Sequence, residues 1–197
     1  MQVLAEQIME RARALPEGTP IAAKSLLHLG SRAAVDQALS RLVRRGRLHR
    51  VGRGLYVRPI ESRFGVRPPA IEKVVRAVGE QRGEVVASSG AAAANALGLT
   101  TQTPIRTVYL TSGPNRTLSL GKQTVEFRHA PAWQLLLAGR PAGEAVRALA
   151  WLGPEQAGTA LALLKRRLGP SAFGELVSVS PRLPTWLARS VSQAAHA

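Results

Sequence analysis

Seven arginines and no acidic residue occupy the stretch from Arg41 to Arg58, at positions 41, 44, 45, 47, 50, 53 and 58. A guanidinium is a permanent planar cation with five N–H donors, and its fork matches phosphate oxygens and the acceptor edge of guanine. Arg41 and Arg44 stand one helical turn apart, in register with Gln37 and Ser40. Glutamine offers the donor–acceptor pair that reads adenine. Arg50 precedes the Gly52-Arg53-Gly54 triplet, where a hairpin would turn, and Arg53 lies within it.

Other reactive side chains do not converge. His28, His49, His129 and His196 have no metal-ligand spacing with another His or Glu. Ser88, Ser89 and Ser112 lie outside any G-x-S-x-G elbow. Gly113-Pro114-Asn115-Arg116 matches neither a Walker loop nor a dinucleotide fingerprint, and reads as a turn. Acidic residues are scattered, which argues against a carboxylate pair or a two-metal site. The expectation is a binding protein and not an enzyme, with no catalytic residues, no cofactor and no metal.

The arginines need elements to hold them. Leu4, Ile8, Ala12 and Leu15 recur at helical spacing, predicting a helix over residues 2–15. Pro16, Gly18 and Pro20 break it. Residues 21–29 read as a short second helix ending at Gly30, and Ser31 is a good N-cap for a third. That third helix, 32–45, would bury Val35, Leu39 and Leu42 and close at Gly46. Two strand-like runs follow, 47–51 and 55–58, ended by Pro59. Helix, helix, turn, helix and two-stranded hairpin make a winged helix-turn-helix, whose recognition helix enters the major groove.

Residues 60–70 (IESRFGVRPPA) show no periodicity and read as a linker. Beyond it the pattern restarts, with a helical face at Ile71, Val74, Val75 and Val78. Strand-like runs occur at 85–88, 106–111, 117–120 and 123–129, and residues 91–97 read as a helix. From Trp133 the chain is helical, with one helix opening at Gly153-Pro154 and stopping at Gly169-Pro170, and another marked by Leu183, Trp186, Leu187 and Val191. The expected class is α+β: a winged helix-turn-helix over 1–59, a linker over 60–70, and a mixed C-terminal domain over 71–197 with a small antiparallel sheet and C-terminal helices.

Composition agrees with a polyanion partner. The 197 residues carry a formal charge of +15, with 13 basic against 5 acidic residues in 1–70 and 14 against 7 in the rest. The excess is thus denser towards the N-terminus. Arginine outnumbers lysine 23 to 4, a skew that a GC-rich genome also produces. With no cysteine, disulfides, thiolate catalysis and zinc fingers are excluded. The opening MQVLAEQIMERARAL is no secretory signal, and no apolar run reaches the ~18 residues of a membrane span. A soluble cytoplasmic protein without a membrane partner is expected.

Placed on these elements, the DNA-binding candidates are Lys24, Ser31, Arg32, Gln37, Ser40, Arg41, Arg44, Arg45, Arg50 and Arg53. Lys24 in the second helix would meet a backbone phosphate. Ser31 and Arg32 at the third helix's N-terminus would meet phosphate or a base edge. Arg50 and Arg53 on the wing would reach phosphate or a narrow minor groove.

The segments RGRLHRVGRGLYVRP (45–59), VVASSGAAAANALGL (85–99) and RTVYLTSG (106–113) resemble AbiEi-type antitoxins, a likeness running from about Gln2 to Leu168. The resemblance implies an antitoxin of a bacterial type IV toxin–antitoxin system, a class tied to phage defence. Such a protein represses its own operon by binding inverted repeats in promoter DNA, as a homodimer or a cooperative assembly. Its partner is a nucleotidyltransferase-like toxin, which the antitoxin need not grip directly; the C-terminal domain carries the neutralising activity. The tail beyond Leu168 has no counterpart in the family pattern. The alternative is a stand-alone winged-helix regulator whose C-terminal domain dimerises or senses a ligand.

Overall fold

The computed structural model describes residues 2–63 and 65–196. It has a mixed α+β architecture of helices and small antiparallel sheets, divided into two compact units. One comprises residues 1–83 and 117–125, the other 84–116 and 126–197.

In the first unit, helix α1 (Gln2–Ala14) turns Ile8, Met9 and Ala12 inward, as its spacing predicts. The expected second helix over 21–29 does not form. Ile21 and Ala22 are instead a short strand, β1, antiparallel to β3 (Leu55–Val57) through Ile21↔Tyr56 and Ala22↔Leu55. One 3-10 turn, Ala23–Leu26, is what remains helical. The reason is pairing: β3 offers an open ladder, the Ala23 N–H donates to the Gly54 carbonyl at 2.8 Å, and nine residues are too few to resist on helix propensity alone.

Helix α2 (Arg32–Arg44) forms where expected. Ser31 caps it, its Oγ accepting from the Ala34 N–H at 3.3 Å, and Val35, Ala38, Leu39 and Leu42 are buried. They join Ile8, Leu26, Leu48 and Tyr56 in one core. Strand β2 (His49–Gly52) pairs with β3, completing a three-stranded sheet in the order β1-β3-β2. The turn runs through Arg53 and Gly54, and Gly54 takes the positive φ of +69° that glycine accepts without strain.

Residues 60–70, expected as linker, contain a hairpin: β4 (Ile60–Ser62) pairs with β5 (Gly65–Arg67), while Phe64 lies outside the described residues. Both strands are exposed or nearly so, so neither carries the alternation that marks a strand in sequence. Helix α3 (Ile71–Arg82) ends at the left-handed Gly83 and buries Val74, Val75, Ala77 and Val78. Its Lys73 pairs with Glu17, and Gln81 donates to the Pro20 carbonyl at 2.7 Å, so the Pro16–Pro20 loop is tied to α3. The Lys73 hydrogen bond holds the Glu17 carboxyl below its usual pKa.

The second unit opens with β6 (Val86–Ser88) and helix α4 (Gly90–Ala96). Strand β7 (Thr107–Thr111) follows; β8 (Arg116–Leu120) and β9 (Gln123–His129) fall partly in this unit, residues 117–125 counting with the first, and the sheet order is β6-β7-β9-β8. A largely buried pair, Arg116 and Glu84 at 2.6 Å, anchors one end, with Thr111 Oγ1 donating to Glu84 and the Arg116 guanidinium 4.2 Å above the Phe127 ring. Helix α5 (Pro141–Leu152) is apolar almost all round and therefore central. Helices α4, α6 (Pro154–Arg167) and α7 (Gly169–Ser178) pack on it, and α8 (Thr185–His196) packs on α6 and α7. Gly169-Pro170 both stops α6 and starts α7, the proline falling in the first turn where its missing N–H costs nothing. Among the described residues no helix is long and apolar enough to cross a membrane.

Candidate nucleic-acid interface

Four buried apolar side chains fix how α2 lies, and by helical geometry they fix which residues point away. Gln37, Ser40 and Arg44 are exposed and Arg41 is half-buried. Together with Asp36 they line a shallow open depression of about 410 Å³. Four of the ten candidate residues therefore share one concave strip, as their spacing predicts. The strip combines amide, hydroxyl and guanidinium groups, the chemistry that base edges and phosphates accept.

The other six candidates lie outside that depression. Lys24 is exposed, on the 3-10 turn and not on a helix. Ser31 is engaged as the α2 cap; its lone pair is committed to Ala34, which leaves its O–H to donate outward. Arg32 is bound by Asp36, Nε to Oδ2 at 2.8 Å, an exposed i,i+4 pair. Arg45 is the exposed C-cap of α2. Arg50 reaches back along its own hairpin, Nε donating to the Gly52 carbonyl at 3.3 Å, and Arg53 is exposed at the turn.

Asp36 is the residue that sequence reasoning missed. Reading the arginine run from position 41 onward left out the acid one turn earlier, although the i,i+4 spacing from Arg32 marks it. A carboxylate here repels phosphate and can accept from the amino group of cytosine. It also neutralises Arg32 in the unbound state.

The hairpin's backbone is stiffened by β1. Tyr56 pairs with Ile21 on one side and with Arg50 on the other, so β3 is the central strand of its sheet. Val51 and Val57 are buried beneath it. The tip itself carries one cation on a two-residue turn.

A family model described as a family of unknown function (DUF6088) matches residues 7–162. No curated protein and no solved structure gives a match.

Proposed function

Because the chain belongs to the family of unknown function DUF6088, its role has to be argued from its own residues, and we propose that it is a DNA-binding antitoxin. In this reading residues 1–59 act as a winged helix-turn-helix whose second helix is reduced to the 3-10 turn at 23–26. Helix α2 enters the major groove. The β2–β3 hairpin follows the adjacent backbone or minor groove.

The observation that supports it best is the α2 strip. Val35, Ala38, Leu39 and Leu42 lock the helix inward, leaving Gln37, Ser40, Arg41 and Arg44 on the opposite, concave side. A charged surface that merely solvates a helix has no need of concavity or of an amide beside its cations. The arginine hairpin next in sequence lends sequence-independent affinity through phosphate.

The antitoxin part rests on the AbiEi resemblance of segments 45–59, 85–99 and 106–113. On that basis the protein represses its own operon at promoter inverted repeats and neutralises a nucleotidyltransferase-like toxin. The rest of the chain carries that second activity, with no stable grip on the toxin required.

Two measurements test this. Titrating promoter DNA at several salt concentrations should give a steep negative salt slope in the full-length protein. Arg41→Ala with Arg44→Ala should flatten it by about 1 for each phosphate that is no longer neutralised. An unchanged slope and affinity would remove α2 from the interface. Co-expression with the toxin encoded by the adjacent gene should restore growth; failure to rescue would favour the stand-alone regulator, which shares the DNA face.

A further inference from the structure

Helix α5 is enclosed by apolar neighbours, yet one of its most buried side chains is a guanidinium. Arg147 is 2% exposed. Its Nε and Nη1 have no hydrogen-bond acceptor among the described residues. Burial pulls its pKa below that of an ordinary arginine, opposed only by the field of Glu144 one turn back. Removing a cation from water without pairing it costs several kcal/mol. Natural cores rarely keep such a group unless something else completes it.

Arg147 lines a cavity of about 470 Å³ within the second unit, a size that holds a small organic molecule. The wall has two characters. Leu110 and Trp151 offer apolar surface, while Arg106, Arg128 and Ser89 offer donors. Arg106 and Arg128 share a single carboxylate, Glu126, at 3.4 and 2.7 Å, so the rim keeps a surplus of positive charge. Ser89 Oγ accepts from the Ala92 N–H and has its proton left to give. The wall is also held in shape. A Cβ on Gly90 would lie 2.6 Å from both the Arg147 carbonyl oxygen and the Trp151 Cβ, so α4 abuts α5 at the one residue type that fits.

We propose that this cavity is a binding site for a small organic anion, whose carboxylate or phosphate is received by Arg147 and whose apolar body lies on Leu110 and Trp151. The guanidinium fork supplies two parallel donors to one oxyanion head, the arrangement that favours arginine over lysine. Arg106 and Arg128 draw the anion in and border the entrance. The site stands in the second unit's own residues and does not depend on the DNA-binding or antitoxin reading.

The test uses the full-length protein and three probes: phenyl phosphate, benzoate and uncharged benzyl alcohol. Calorimetry and intrinsic tryptophan fluorescence, to which Trp151 contributes, follow each titration. One or both anions should bind saturably and benzyl alcohol should not; which anion is tighter separates a phosphate head from a carboxylate. Arg147→Met should weaken binding roughly 10- to 100-fold, the loss of a charge-assisted hydrogen bond. Arg147→Lys should recover part of it. Ala150→Leu, which narrows the cavity from its wall and leaves Arg147 in place, should also block binding, and thermal melts confirm that each variant is folded. Absence of saturable binding of either anion up to about 10 mM, or full affinity in Arg147→Met, would overturn the proposal and leave a cavity that holds only water.

Discussion

Arg32 and Arg147 mark the two extremes of what a guanidinium does in this chain. Arg32 is exposed and paired with Asp36, a contact worth a few tenths of a kcal/mol at most. Its energy is trivial, but under the proposed DNA-binding role the pair would have to open before Arg32 met a phosphate. Asp36→Ala is therefore expected to raise affinity for random-sequence DNA and to lower the ratio of specific to non-specific binding. Competition titrations with unrelated duplex check this; unchanged discrimination would mean that Asp36 does not face the groove. Arg147 is the opposite case, buried with its Nε and Nη1 unpartnered among the described residues. Replacing buried ionic groups with well-packed apolar side chains of similar volume is often neutral or stabilising, by about 1–4 kcal/mol for ion pairs. Arg147→Met should accordingly raise the unfolding midpoint in urea while removing the anion site, so stability and binding move in opposite directions. A variant that unfolded more easily would mean that Arg147 has a structural partner. Arg147 is not legible from the sequence as a special position. Asp36 is marked there only by its i,i+4 spacing from Arg32, whereas Arg147 sits in a helix whose pattern reads only as apolar.

At the scale of elements, packing outweighs capping. Leu39 is fully buried in the first unit's core, and Leu39→Ala should cost about 2–5 kcal/mol. Ser31→Ala removes one 3.3 Å cap bond and should cost about 1 kcal/mol. Thermal or urea denaturation of both variants ranks them; equal losses would mean that α2 is held by its terminus. The same hierarchy explains which elements the sequence revealed. Helices α1, α2 and α3 were legible because each carries an inward stripe at helical spacing, and the four residues of the concave strip followed directly from the α2 stripe. The stretch 21–29 was not, because its fate is decided by a strand more than thirty residues away: Ile21 and Ala22 become ladder partners of Tyr56 and Leu55. The hairpin at 60–67 was not, because a ribbon exposed on both faces leaves no hydrophobic period to read.

At the scale of the whole molecule, chain order and compact units do not coincide. Residues 117–125, the outer part of the β8–β9 hairpin, group with residues 1–83, and helix α3 belongs to that same unit. Local contacts show what this means physically. Lys73 and Gln81 of α3 reach Glu17 and Pro20, and Leu118 lies close against Gly52. A fragment of residues 71–197 would carry α3 and residues 117–125 without the rest of the compact unit in which Val74, Val75, Val78, Leu118 and Leu120 are buried. Exposed clusters of this kind bind water poorly and associate. The fragment is expected to unfold without a cooperative transition or to aggregate, and scattering together with a thermal melt checks it. If instead it melted cooperatively as a monomer, residues 71–197 would be a self-sufficient domain. Separation of DNA binding from toxin neutralisation is therefore best sought in the intact chain. Arg41→Ala with Arg44→Ala changes only two side chains of the α2 strip, neither of them among the buried residues of that helix. On the proposed function, such a protein should lose promoter binding yet still rescue growth beside the toxin, because the proposal assigns the two activities to different residues. Joint loss of both activities in a fully folded double variant would mean that neutralisation itself runs through DNA.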